Sequence, residues 1–328
     1  MRVILVNPTA ASLRARPDRI KRIRELCEGW AHVVVSASAR DGKRQLEVLD
    51  RKERIQLIVV AGGDGTFHMA LNWAMRQPAD RRPALCSVGG GQFCYMMRFC
   101  GFRSRDPVKN IEIVRRCASV REESWRPLVV HDSLTRSKRY GAVFGTGLLP
   151  DFIRWYNADG KGGIAKVTWL IVLAALSLAW RPRWMERAVP RFGQAFGQVT
   201  FDAFVVPRQE YTAVLVGAMN EFLPKCTPFR GQPSESQCYA AGYWGSLILL
   251  ASGIVPLWFG RVAPWLASAM HNAPSNVVTI TTREQTIMMD GDVIQPDDPS
   301  LNGQGSHNPP VRTFTIMRAS PIGMMRRI

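Results

Sequence analysis

The sequence lacks the cysteine and histidine arrangements on which zinc, disulfide or triad chemistry is built. Its seven cysteines (27, 86, 94, 100, 117, 226 and 238) are odd in number and scattered, and none forms a Cys-x-x-Cys pair. That excludes a disulfide framework and a zinc site of ordinary spacing, and free thiols of a reduced cytoplasmic chain are expected. The five histidines are equally dispersed, which speaks against a metal cluster and against a Ser/His/Asp triad. No uninterrupted apolar run reaches the roughly 20 residues of a membrane span. No internal repeat, polybasic tail or interleaved aromatic and basic nucleic-acid module is present. Met1-Arg2 runs directly into Val3–Val6 with no small-residue cleavage site after it, so no export signal is read.

What is there suits two globular domains: 328 residues, 46% hydrophobic and 21% charged. The net charge is +17, carried by 35 arginines and 8 lysines. One reading is a compositional bias towards arginine. The other is attraction to a polyanion, for which an anionic membrane surface is a better candidate than nucleic acid. A cytoplasmic protein in peripheral contact with membrane is therefore expected.

The most informative segment is Gly62-Gly63-Asp64-Gly65-Thr66. It follows the apolar run Leu57–Ala61 and precedes the helix-like stretch to Met75. A buried strand, a glycine turn and a helix start make a phosphate cradle, because backbone N–H groups and the helix dipole there favour an anion. Asp64 adds a carboxylate that could hold Mg²⁺ through water. Thr66 could cap the helix or donate to a phosphate oxygen.

Around that loop the first third alternates strand and helix. Strands are expected at Val3–Val6, His32–Val35, Leu57–Ala61 and Ala84–Val88, and helices at Pro17–Cys27, Lys43–Asp50, Thr66–Met75 and Asp106–Cys117. Such alternation implies a parallel sheet covered on both faces, with ligands beyond the C-terminal strand ends. Asn7-Pro8-Thr9, the Gly62–Thr66 loop and Gly89-Gly90-Gly91-Gln92 all fall at that edge. The basic segment around Arg14, Arg16, Arg19, Lys21 and Arg22 either lines the mouth of that site or is a solvated face.

From about residue 122 strands dominate: Trp125–Val130, Tyr140–Phe144, Val199–Val206, Tyr211–Val216, Val277–Thr282, Thr286–Met289 and Arg312–Met317. A mainly antiparallel second domain follows. Two apolar stretches interrupt it. Ile164–Trp180 reads as a core helix. Leu247–Met270, with Trp258, Trp265 and Pro256, reads either as core or as a segment touching a bilayer interface. Near the C-terminal end, Asp290-Gly291-Asp292 between apolar runs reads as a hairpin turn or as the seat of a general base.

These motifs together resemble the diacylglycerol kinase catalytic-domain family, which includes soluble bacterial lipid kinases and the sphingosine and ceramide kinases. The resemblance rests on Asn7-Pro8, on Gly62–Thr66 and on Gly89–Phe93, which sits where the family has Gly-Thr-x-Asn-Asp. It extends to Phe144–Gly147 with Asp151, to Ala218-Met219-Asn220 and to Asp290–Asp292, where the family has Asp-Gly-Glu. It implies an NAD-kinase-like Rossmann-type α/β domain over residues 1–122 and a β-sandwich substrate domain over 123–311. The last strand, near Arg312–Met317 in the 312–328 segment, is expected to return to the first domain. ATP would bind in the cleft between the domains, and its γ-phosphoryl group would pass to a lipid hydroxyl with Mg²⁺. Asn7, Gly62, Gly63, Asp64, Gly65, Thr66, Gly89, Gly90, Gly91 and Gln92 would hold nucleotide, Asp64 and Glu235 metal, and Asp292 would be the base.

The sequence departs from the family at three points. Gln92-Phe93 replaces Asn-Asp, Asp292 replaces Glu, and Pro228–Glu235 stands where the family has an Asp-rich metal segment. An ATP-dependent kinase of diacylglycerol or a related lipid is the leading expectation. An NAD kinase-like enzyme, which also uses Gly-Gly-Asp-Gly, and a non-catalytic nucleotide- or lipid-binding homologue are the alternatives.

Overall fold

The structure, a computed structural model, describes residues 1–91, 94–116, 120–158, 164–179, 189–190, 192–221, 227–258, 261–284, 286–295 and 310–327. The chain divides into two compact units, Met1–Pro127 with Ser320–Ile328, and Leu128–Ala319.

The first unit alternates strand and helix. Its elements are β1 (Arg2–Val6), α1 (Ala11–Arg14), α2 (Asp18–Cys27), β2 (His32–Val35), α3 (Ala39–Lys52), β3 (Leu57–Gly62), α4 (Asp64–Met75), β4 (Ala84–Gly90), α5 (Tyr95–Phe99), α6 (Pro107–Arg116) and β5 (Val120–Trp125). β1, β3 and β4 are continuous apolar runs buried nearly throughout, because helices cover both faces of a parallel sheet. The covering helices are two-faced: α2 buries Ile23 and Cys27, four residues apart, and leaves Lys21, Arg22 and Arg24 outside. Ser38 caps α3 by accepting a bond from the Asp41 N–H at 3.1 Å.

The second unit is built from β6 (Leu128–Asp132), β7 (Lys138–Gly141), β8 (Val143–Gly147), α7 (Leu148–Asn157), α8 (Ile164–Ala179), β9 (Ala195–Phe201), β10 (Phe204–Val205), β11 (Glu210–Tyr211), β12 (Ala213–Gly217), β13 (Cys238–Tyr243), α9 (Leu247–Trp258), α10 (Pro264–Ala267), β14 (Met270–Ser275), β15 (Val277–Thr282), β16 (Ile287–Met289), β17 (Asp292–Ile294) and β18 (Arg312–Arg318). One sheet has the order β10-β9-β15-β18-β6-β7, with β11 also on β9. The other has the order β14-β13-β12-β8-β16-β17. All pairings in both are antiparallel. The two sheets meet through inward side chains: the Phe144 and Phe314 rings lie 5.8 Å apart. Gly242 faces the Phe201 ring so closely that a β-carbon there would fall 2.4 Å from Cζ.

The expected return of Arg312–Met317 to the first domain is corrected. That strand, β18, pairs with β15 and β6 in the second unit. The strand that returns is β19 (Ile322–Arg327), after a break at Pro321. It lies parallel to β4 at Met324 and Leu85, and antiparallel to β5 over its whole length. The first sheet therefore has the order β2-β1-β3-β4-β19-β5.

Other expected strands are divided. Trp125–Val130 is cut at Pro127, which has no N–H to give a ladder. Tyr140–Phe144 is cut at Ala142, where the chain passes from one sheet to the other. Val199–Val206 turns at Asp202, whose φ is +49°. β13 and β14 carry no clear sequence signal. β13 is rich in Ala and Gly, and β14 carries Pro274, which an edge strand tolerates.

Ile164–Trp180 is not a wholly buried core helix. Within α8, Val167 and Leu170 are buried, whereas Trp169, Val172 and Leu176 are exposed. Leu247–Met270 forms two helices, α9 and α10, the second beginning at Pro264.

Candidate functional site

Three loops leave the C-terminal ends of the neighbouring parallel strands β1, β3 and β4, and therefore share one edge of the first sheet. Asn7, just past β1, staples two of them. Its Oδ1 accepts from the Thr9 N–H at 3.0 Å and the Thr9 hydroxyl at 2.7 Å, and its Nδ2 donates to Thr66 Oγ1 at 3.0 Å. Thr66 does not cap α4, because the helix begins two residues earlier, at Asp64. Gly63 occupies the cap position in extended geometry, with no side-chain cap bond.

The two glycine loops touch backbone to backbone. The Gly91 N–H donates to the Gly62 carbonyl at 3.1 Å. A β-carbon on Gly91 would lie 2.5 Å from Gly63 Cα, and one on Gly62 would lie 2.8 Å from Thr66 Oγ1. Gly90 has φ +127° and sits 3.2 Å, measured from its absent β-carbon, from the Gly62 nitrogen. Side chains are thus excluded at the N-terminus of the twelve-residue α4, where the Thr66 and Phe67 N–H groups both donate to the Gly63 carbonyl at 3.1 Å. Glycine backbone with no Cβ, set at a helix N-terminus, is the kind of place where an anion is favoured. Gly89 belongs to the same segment, and Gly65 lies exposed in the first turn of α4. Gln92 falls outside the described residues.

Asp64 has a task of its own inside the fold. Its carboxylate accepts from the Met96 N–H at 3.2 Å and the Tyr95 N–H at 3.4 Å, which holds the start of α5 beside the glycine loops. No sequence pattern announces α5, whose role is to carry these donors. Arg19 is also tied down, to the Ser12 carbonyl at 3.1 Å and to Asp106 at 3.4 Å. Lys21 and Arg22 are exposed, so most of that basic segment is a solvated face.

A metal held by the protein alone would need several oxygen, nitrogen or sulfur donors converging on one point. Among the described residues no three His, Cys, Asp or Glu side chains gather in that way. Glu235 stands exposed beside a turn in which the Ser234 N–H bonds to Gln237. The described residues therefore do not form a protein cage for a metal ion.

In the second unit Asp290-Gly291 is the two-residue loop of the β16–β17 hairpin. Both residues have positive φ, +53° and +84°, as a type I′ turn requires. The two carboxylates of this motif have separate fates. Asp290 is buried and its Oδ1 accepts from the Ala142 and Val143 N–H groups, each at 2.8 Å. Asp292 opens β17 opposite Met289 and is exposed. Of the pair, Asp292 is the exposed one.

The Phe144–Gly147 segment lies on β8 and the start of α7. Gly147 has φ +76°, and a β-carbon there would fall 2.4 Å from the Thr212 carbonyl. Asp151 pairs with Arg154 at 2.8 Å, and Arg154 also donates to Thr286 at 2.8 Å. Glu284, which no motif in the sequence singles out, has its carboxyl pushed up by burial and then by the charge of Asp151. Asn220 follows β12, and its Oδ1 is buried with no hydrogen-bond partner among the described residues.

Known proteins resemble this chain in its first third and in its fold. Residues 2–122 match the family model of the diacylglycerol kinase catalytic domain. The fold is similar to crystal structures of proteins assigned as diacylglycerol kinases from Bacillus anthracis str. Sterne. One has a TM-score of 0.63 at 15% identity over 98% of this chain and 96% of its own. Another has a TM-score of 0.59 at 14% identity over 98% and 95%. No curated protein sequence matches significantly.

Proposed function

For a chain whose residues 2–122 match the diacylglycerol kinase catalytic domain, we propose an ATP-dependent kinase that phosphorylates a lipid hydroxyl, diacylglycerol or a related lipid. The observation that supports the reading is the apposition of Gly90 and Gly91 against Gly62 and Gly63 at the N-terminus of α4, which keeps side chains away from the place where a phosphate would sit. Phosphoryl transfer asks little covalent chemistry of a protein. It asks for positioning and for charge neutralisation. Asn7, Gly62 to Thr66 and Gly89 to Gly91 are assigned to the nucleotide, with the Gln92 position beside them. Bound Mg²⁺ would supply charge neutralisation at the phosphates, in company with the Asp64 carboxylate. Asp292 is assigned as the base that takes the acceptor hydroxyl's proton. A lipid acceptor implies work at a membrane surface, which the net charge of +17 favours when the lipids are anionic.

The test is transfer of label from ATP to a panel of diacylglycerol, monoacylglycerol, sphingosine, ceramide and phosphatidylglycerol in mixed micelles. One labelled lipid is expected, lost in Gly91→Ala and in Asp292→Asn. Label on NAD and on no lipid would instead support an NAD kinase.

A second reading, a nucleotide-binding protein without catalysis, draws on Asp64 being engaged by two backbone donors. ATP binding with no transfer to any acceptor would establish it.

A further inference from the structure

Three helices of the second unit leave apolar side chains uncovered. On α8, Val167, Leu170 and Ser177 face inward, and Trp169 (58% exposed), Val172 (42%) and Leu176 (50%) face outward. The outward three are spaced i, i+3 and i+7, so they form one stripe. α8 packs against α9, which turns Ile248 (59%), Leu249 (43%) and Val255 (66%) outward. α9 in turn rests on α10 through Gly253, where a β-carbon would fall 2.2 Å from Leu266 Cδ1. α10 presents Trp265, whose indole N–H donates to Ser252 at 3.0 Å while the ring stays half exposed. Single exposed apolar residues are ordinary on a soluble protein. A group of this size on three contacting helices marks a surface that meets something apolar.

We propose that this helical layer is the face by which the protein lies on an anionic lipid bilayer. The motive for such contact rests on the lipid-kinase reading; the location rests on the side chains above. Among the described residues no helix is long and apolar enough to cross a membrane, so the helices would lie along the interface. The described residue next to the layer and the sequence on either side of α8 are basic. Arg261 is exposed between α9 and α10. In the sequence, α8 is preceded by Asp159 and Lys161 and followed by Arg181, Arg183, Glu186, Arg187 and Arg191, five basic residues to two acids. Aliphatic and tryptophan side chains beside Arg261, on a chain of net charge +17, match acyl chains beneath anionic headgroups. A second copy of this chain fits less well, since two chains each carrying a net charge of +17 repel.

The experiment is sedimentation of the full chain with phosphatidylcholine vesicles, with and without phosphatidylglycerol. Leu176→Glu combined with Val255→Glu is the test variant. Val48→Glu, on α3 of the first unit and 47% exposed, is the control for adding one acid in place of an exposed apolar residue. Binding to the phosphatidylglycerol vesicles is expected to fall at least tenfold in the test variant and to stay unchanged in the control. Wild-type binding that survives in the test variant overturns the proposal. So does a wild-type dimer that the variant dissociates without any vesicle binding. Should the variant not fold, quenching by brominated acyl chains decides: it should drop in the Trp169→Phe, Trp265→Phe protein and would be unaltered if the face is wrong. Vesicle binding without lipid phosphorylation sinks the kinase reading alone. Phosphorylation in micelles without vesicle binding sinks this inference alone.

Discussion

At the scale of single residues, the glycine apposition makes a sharp demand. Gly91→Ala would place a carbon 2.5 Å from Gly63 Cα, backbone that cannot swing aside. Overpacking of this kind costs about 1–3 kcal/mol, and its larger effect is to part the two loops. ATP affinity measured by calorimetry is expected to fall more than tenfold, with melting only modestly lowered. The Asp290-Gly291-Asp292 motif separates stability from chemistry in the same way. Asp290→Ala leaves two buried N–H groups unpaired, at about 1–3 kcal/mol each, and puts alanine at a positive φ. Asp292→Asn, at an exposed position, should leave urea unfolding within about 0.5 kcal/mol of wild type while turnover collapses. Equal destabilisation by both would show that Asp292 is structural. The turn at Gly62–Gly63 was legible in the sequence, because glycines directly after a buried apolar run mark a strand passing into a helix. The division of labour between Asp290 and Asp292 was not legible. It depends on Ala142 and Val143, almost 150 positions away, coming to lie beside the hairpin.

At the scale of elements, the same contrast between local and distant causes holds. The Leu57–Ala61 strand and the Pro17–Cys27 helix are announced by their own apolar patterns, and β3 and α2 lie where expected. β14 carries no such pattern, because its residues are chosen by what lies across the sandwich. His271 on that strand is stacked between Phe201 at 4.2 Å and Phe204 at 5.5 Å. Its Nε2 is buried without a hydrogen-bond partner among the described residues. Burial lowers its pKa from the ordinary 6.5. Below 6.5 the unfolded imidazole therefore takes a proton that the folded one refuses. The stability this stack contributes is complete above pH 6.5 and is lost as pH falls through the folded value. Unfolding free energies measured across this range should slope downward towards acid, and His271→Phe should flatten that slope. An unaltered slope in the variant would assign the acid sensitivity elsewhere.

At the scale of the whole molecule, the arginine excess predicts a salt effect. Attachment to phosphatidylglycerol vesicles should weaken between about 0.1 M and about 1 M salt, as the screening length shortens from about 10 Å to about 3 Å. ATP binding, assigned to the glycine loops, should weaken far less. Removal of β19 should also be felt beyond its own length. Because β5 is joined to the first sheet through β19 among the described residues, a chain ending at Arg318 should lose β5 from the sheet and expose the edge of β4. Hydrogen exchange over Val120–Trp125 would report it, and continued protection there would refute it.

The position of β19 also bears on how the molecule is made. A ribosome delivers β1 to β5 first, yet residues 322–327 emerge only after the whole second unit has been synthesised. Until then the nascent first unit presents β4 with no neighbour on one side, and β5 has nothing to join. The long interval before closure is the time in which a newborn chain needs shelter from self-association. Slow translation through residues 128–319 would lengthen that interval, and hence the demand on chaperones, without altering a single contact in the finished protein.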